Sequence, residues 1–372
     1  MQSTKAEHIT NIDSSSTAPL VYLYSGETYF PADLSAQLAN TQPEVNYVVV
    51  SGAPSPLTLN NLNELNSYGS VYLTSKVDIT TNPAWLNGIK PDTSGKTNNA
   101  ISCAIIVNDH GGGNVDAFYM YFYAFNWGGV VLGQQLGMIL FEEPITNITL
   151  TLFGTQVITW ATGRTPGFFV VAWLMYIHRE HNMIRFSNGV PTYVWFSQHS
   201  NGEAFAYEVV HKNGLRVLPL TSFCLPFCIP ITANPHQPLV YSGNGSHANY
   251  AITGKHDHTI PDVNLPDGLI VDYTDAGTLW DPILSAYYYS YDATSSTFTS
   301  YDTSGDTPVN WLYYNGTWGD EQYPDSDKRQ KKFFGQPKYA SGPTGPEDKQ
   351  LNRTNVCPSD GVACILRWIL GP

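Results

Sequence analysis

Ile101-Ser102-Cys103-Ala104-Ile105-Ile106-Val107, then Asn108-Asp109-His110-Gly111-Gly112-Gly113-Asn114, then Ala117-Phe118-Tyr119-Met120-Tyr121-Phe122-Tyr123-Ala124-Phe125: these successive stretches decide the fold. The first is rich in Ile and Val and the last in aromatic rings, the side chains that fit a pleated, buried surface. Both read as buried strands, and the glycine-rich stretch between them reads as a turn or loop. Further along, Met183-Ile184-Arg185-Phe186, a turn at Ser187-Asn188-Gly189, and Thr192-Tyr193-Val194-Trp195-Phe196 form the best hairpin signal in the chain. Towards the N-terminus, Val21–Tyr24, Tyr47–Val50 and Val71–Leu73 read as strands, and Thr58–Leu65 is a helix candidate. There is no internal repeat and no sustained helical period. The expectation is an all-β protein: one large β-sandwich-like domain over 19–372 with long decorating loops, preceded by a polar, Ser/Thr-rich disordered arm at 1–18.

Composition agrees with that class. The chain has 372 residues, with 13% charged residues, 24 Tyr, 31 Gly and 25 Pro; few charges with many rings and turn formers suit β structure. The net charge of −13 excludes nucleic acid as the expected partner, because phosphate binding needs a basic face. The one basic run, Lys328-Arg329-Gln330-Lys331-Lys332, follows Asp325 and Asp327 and reads as a solvated loop. The longest apolar run, Phe168–Ile177, is about half a membrane span, so no transmembrane segment is expected. Read from Met1, the chain lacks a signal peptide and would be cytoplasmic.

Six segments in order carry a family resemblance: Ile105–Gly111, Asp116–Asn126, Glu180–Phe186, Ser197–Ala204, Gly245–Ala251 and Asp272–Gly277. On these the chain resembles the vacuolar protein sorting-associated protein 62 family. The resemblance implies a role in delivering proteins to the vacuole, a location on the vacuolar or secretory route, and a protein cargo or membrane component as partner. More distantly it is similar to secreted β-sandwich proteins of the necrosis- and ethylene-inducing type, which carry Gly-His-Arg-His-Asp-Trp-Glu and bind a divalent metal. The corresponding family signature, Gly-Asn-His-Val-Gly-Asp-Trp-Glu-His, is present here only as its tail, Glu180-His181.

The rest of that signature lies one reading frame away. Gln156-Val157-Ile158-Thr159-Trp160-Ala161-Thr162-Gly163 permits codons that, read from the last base of the Gln codon, spell Gly-Asn-His-Val-Gly-Asp-Trp. Gly137-Met138 permits a splice donor, Thr146-Asn147 a branch point and Gln156 an acceptor; Leu174-Met175 and His178-Arg179 permit a second branch point and acceptor. Val217–Gln237 permits a third, in-frame unit of 21 codons whose removal joins Arg216 to Pro238. Segments 137–179 and 217–237 are therefore expected to be translated intron, which would take Cys224 and Cys228 out of the working protein. Of the remaining cysteines, Cys357 and Cys364 are either a bridge or two free thiols.

Candidate metal ligands are Asp109 and His110 on the glycine-rich loop, Glu180, His181, His199, His247, and His256 with His258. Mixed carboxylate and imidazole donors suit Mg²⁺, Ca²⁺ or Mn²⁺ better than zinc. Glu180 and His181, adjacent on a strand, point to opposite faces, while His256 and His258 would share one. Asp272 and Asp275 read as residues that satisfy backbone amides beside a turn. No H-E-x-x-H, Walker loop, G-x-S-x-G or dinucleotide fingerprint occurs. Two expectations follow: a binding or sorting scaffold ordered by a metal, and, as the alternative, a metal-dependent hydrolase or a membrane-acting protein.

Overall fold

In the computed structural model the described residues are 17–128, 130–131, 134–135, 147–152, 155–161, 181–199, 201–213, 237–257, 270–330, 332–333, 336–359, 361 and 363–371. Residues 1–16 of the expected arm at 1–18, Glu180, His258, Cys224, Cys228 and most of 137–179 and 217–237 lie outside them, while Thr17 and Ala18 are described and buried.

The centre of the fold is an eight-stranded sheet, ordered Thr297–Ser300, Ala286–Asp292, Cys103–Gly111, Asn114–Tyr121, His181–Ser187, Val190–Gln198, Asn201–Ala206 and Leu366–Arg367. Its neighbours are antiparallel except Ala286–Asp292 on Cys103–Gly111 and Asn201–Ala206 on Leu366–Arg367, which are parallel. Successive side chains on a strand point to opposite faces, and here both faces are buried. Ala104, Ile106, Phe118, Met120, Met183 and Trp195 belong to one core, and Cys103, Ile105, Tyr119, Tyr121, Ile184 and Phe196 to the other. That is why the deciding stretches are apolar at every position instead of alternating.

The second core is closed by another sheet: Lys212–Asn213, Gln237–Ser242, Leu20–Leu23 and Thr278–Trp280, with Asn249–Tyr250 paired to Gln237–Ser242. Val21, Leu23, Val240 and Trp280 come from it, so on this face the protein is the expected sandwich. The first core is covered by the helix Leu34–Asn40 and by 3₁₀ turns, through Leu34, Leu38, Leu62, Leu65, Trp311 and Leu312. Asp33 starts that helix by accepting the Ala36 amide at 2.9 Å. The structure is all-β, with this thin helical layer added.

Several local expectations shift. The two strands of the opening stretch extend through Asp109–Gly111 and begin again at Asn114, so Asp109 and His110 end a strand and the turn is confined to the glycines, all at positive φ. Of Tyr47–Val50 only Val48–Val49 is strand: Asn46 and Tyr47 both have positive φ (51° and 62°) and form the turn that joins Thr41–Val45 to it. The candidate helix is a 3₁₀ segment displaced to Leu62–Tyr68. The hairpin of His181–Ser187 and Val190–Gln198 turns at Asn188-Gly189, both at positive φ, as expected. Cys357 and Cys364 are bridged, with Cα atoms 5.5 Å apart, and Cys103 is free and buried.

Candidate functional site

Four of the quoted segments, scattered from residue 116 to residue 277, meet at one end of the two sheets. The turn after Gln237–Ser242 is tight: the Gly243 amide donates to the Ala248 carbonyl and the His247 amide to the Gly243 carbonyl, at 2.8 and 2.9 Å. Gly245 sits at φ +68°, and a Cβ there would lie 3.2 Å from Trp127 Cβ, so both backbone shape and space call for glycine. Asn126 Nδ2 donates to the Ser246 carbonyl at 2.6 Å, and the Asn244 amide to the Tyr273 carbonyl at 3.0 Å. From the other side, Gln198 Nε2 donates both to Glu203 Oε2 (3.0 Å) and to the Asn249 carbonyl (3.1 Å).

At the meeting point Asp272 Oδ2 takes His199 Nε2 at 2.6 Å and Tyr250 Oη at 2.7 Å. The Asp272 side chain is fully buried and that of His199 is 16% exposed, so the imidazole is the group that reaches solvent. His256 stacks on Tyr250, ring centroids 3.8 Å apart, with its Nε2 2.9 Å from Thr274 Oγ1. The Thr274 hydroxyl gives its one proton to the Ile252 carbonyl, so His256 Nε2 is the donor. Burial pushes the His256 pKa down, against the pull of Asp272 and Glu203, and the ring is neutral at neutral pH. Asp272 is thus an acceptor for side chains. Asp275 fits the expectation of an amide-satisfying residue, accepting the Ser25 amide at 2.8 Å.

The other candidates stand apart. His247 stacks on Tyr123 (3.8 Å) and its Nε2 is 2.9 Å from the Tyr29 carbonyl and 3.6 Å from Glu27 Oε2. Burial alone would raise the Glu27 carboxyl; His247 and the amides of Gly245 and Tyr29 outweigh it and hold it below the usual range. His110 Nε2 meets Asp116 Oδ2 at 2.8 Å, beside the two-pronged contact from Arg185. His181, 2% exposed, faces Arg353, whose Nη2 donates to its Nε2 at 2.7 Å. Asp109 is half-buried and accepts the Gly111 amide at 2.8 Å.

Of the described members of the sequence-predicted set, the structure brings together His199 and His256, around Asp272. Each of the five described candidate histidines between 110 and 256 engages Nε2 with a protein group. Among the described residues, no three His, Cys, Asp or Glu side chains gather to hold an ion. The described donors do not gather into a divalent-metal site; Glu180 and His258 lie outside the described residues. The sequence reading singled out Glu203 as a polar point and missed Tyr250, Gln198 and Arg353 as organising residues. Tyr250 and Gln198 lie inside quoted segments, so the segments held the signal and the residue types did not.

With this geometry in place, the comparison with known proteins is direct. Vacuolar protein sorting-associated protein 62 of Saccharomyces cerevisiae is 31% identical over 362 residues, and a second protein of that yeast, provisionally named vacuolar protein sorting-associated protein TDA6, is 32% identical over 366. The chain belongs to the vacuolar protein sorting-associated protein 62 family. Each match covers 91% of this chain and 66% of the relative, so the chain spans just under two thirds of either relative's length. No family model and no solved structure matches.

Proposed function

We propose that this chain acts in delivery to the vacuole as a non-catalytic binding scaffold, with the Gly243–Tyr250 turn and His199 forming its recognition surface. The observation that carries this reading is the convergence of four family segments on Asp272. Its Oδ2 is occupied by two donors, which is the chemistry of a group that fixes shape. The half-open imidazole of His199 and the strained turn beside it are what a partner would meet. The names of both relatives support the vacuolar setting. The charge of −13 favours a protein or membrane component with basic groups over nucleic acid, and no described helix is long and apolar enough to cross a membrane.

The test is a sorting assay in cells lacking the protein, scored by missecretion of a vacuolar reporter. Wild-type chain is expected to restore retention. Asp272→Asn, shown by circular dichroism to be folded, is expected not to. Full rescue by that variant would overturn the assignment of this surface.

A further inference from the structure

Four Asn-x-Ser/Thr triplets occur in the chain: Asn147-Ile148-Thr149, Asn244-Gly245-Ser246, Asn315-Gly316-Thr317 and Asn352-Arg353-Thr354. Such a triplet is the acceptor for N-linked oligosaccharide in chains that enter the secretory lumen, but short matches also arise by chance. The first falls in the segment expected to be translated intron. The fold separates the other three.

Asn315 and Asn352 are exposed, and in both places the neighbouring residues anchor the backbone. The Asn315 amide donates to Asn66 Oδ1 at 3.0 Å, and Tyr314 before it is buried in the first core. Asn352 lies between buried Leu351 and buried Arg353. The Arg353 guanidinium donates to the carbonyls of Lys349 (2.9 Å) and Val356 (3.2 Å). A sugar chain on either Asn therefore displaces no packed group. Tyr314, Leu351 and Val356 all belong to the first core, so both triplets lie on the layer that covers that face of the central sheet. Asn244 differs. It is half-buried in the tight turn after Gln237–Ser242, between buried Gly243 and buried Gly245. Ser246, whose hydroxyl completes the triplet, is 0% exposed.

An independent feature sets the compartment. Cys357 and Cys364, on the segment that follows Asn352, are bridged. Cytosolic thiols are kept reduced, whereas disulfides persist in oxidising compartments such as the secretory lumen. The transferase that reads the triplet works in that same lumen.

We infer that this chain carries N-linked oligosaccharide on Asn315 and Asn352, over the first core. The co-reactant is a lipid-diphosphate-linked oligosaccharide. Asn Nδ2 attacks the anomeric carbon of its first sugar, and the N–C bond forms as the C–O bond to the diphosphate breaks. The lipid diphosphate leaves, and one amide proton is lost to a base of the transferase. Bulky, solubilising sugars on this layer would keep other macromolecules off it and leave the Gly243–Tyr250 turn as the open face. The inference goes beyond the vacuolar reading and does not depend on it.

The test uses the full-length protein isolated from the cells that make it. Free thiols are alkylated before reduction. Peptides are then deglycosylated by an amidase in heavy-oxygen water, which converts each occupied Asn to a labelled Asp. Label is expected at Asn315 and Asn352 and not at Asn244, with Cys357 and Cys364 alkylated only after reduction. In the same cells Thr317→Ala and Thr354→Ala are each expected to remove one oligosaccharide step in gel mobility, and Thr317→Ser and Thr354→Ser to keep it. The wild-type labelling needs no variant, so a substitution that fails to fold leaves the test intact. Label missing from either Asn overturns the assignment of that site, and from both, the inference itself. Label at Asn244 alone, or alkylation of Cys357 and Cys364 without reduction, would also overturn it.

Discussion

Asp116→Asn is the most informative single change to the framework. Asp116 is fully buried and receives Arg185 through two bonds, Nε to Oδ1 at 2.8 Å and Nη2 to Oδ2 at 2.7 Å, with His110 as a third partner. The guanidinium goes on to the backbone carbonyls of Thr354 (2.8 Å) and Arg353 (3.1 Å), so one carboxylate orients the group that ties the C-terminal segment to the sheet. Removing the charge leaves Arg185, 18% exposed, facing an amide. Breaking a buried pair by taking one partner costs about 3–5 kcal/mol. The partial exposure and retained carbonyls place the expected loss near the lower end, about 3 kcal/mol. Urea unfolding of wild type, Asp116→Asn, Arg185→Met and the double variant gives the cycle, with a coupling of about 2 kcal/mol expected. The pH dependence supplies a second check. Burial opposes ionisation of Asp116, but Arg185 and His110 outweigh it and depress the folded pKa. The stabilisation is therefore complete above the unfolded value of about 3.9 and is lost as pH falls through the lower folded one. A loss under about 1 kcal/mol, or a difference between wild type and variant that grows below about pH 4, would refute the reasoning.

Three further outcomes are expected. His256 is depressed by burial, so it favours the folded state above the unfolded histidine value of about 6.5 and works against it as pH falls through its folded value; His256→Phe, which keeps the stack on Tyr250, should flatten the loss of melting temperature between about pH 7 and pH 5, and an unchanged slope would count against it. Reducing Cys357–Cys364, whose closed loop is short at a separation of 7, should cost about 2 kcal/mol and loosen Leu366–Arg367 from Asn201–Ala206, read as faster amide exchange there; identical exchange would deny the staple its role. Lys212 is paired to Pro238 across the stretch containing 217–237, so deleting that segment leaves a four-residue hairpin loop, Asn213-Gly214-Leu215-Arg216, of ordinary length. The deleted chain should melt at or above the intact one, and mature transcript should lack the corresponding bases; a lower melting temperature would show that the segment belongs to the fold.

Local pattern was enough to find the strands of the central sheet, because Ile, Val and aromatic side chains next to glycine turns express their preference within a few residues. The Asn188-Gly189 turn was legible for the same reason. Asn46-Tyr47 was not, since Tyr is an uncommon residue at positive φ and nothing nearby announces it. The extent of Cys103–Gly111 was underestimated because pairing to Asn114–Tyr121 carries Asp109 into the strand, against the polar look of that sequence. Among the candidate site residues, histidines were easy to single out and their partners were not. His181 found an arginine 172 residues away, and His199 an aspartate 73 residues away.

The sequence by itself determined the all-β class, the main hairpin, the family and the segments that matter, since each depends on residue type and short-range order. Only the tertiary structure decided that both faces of the central sheet are covered, that Asp272 gathers His199 and Tyr250, and that Asn315 and Asn352 are exposed over the first core while Asn244 is half-buried. Those facts depend on which sheet edge and which face meet across long stretches of chain. Packing settles that, and no spacing along the chain encodes it directly.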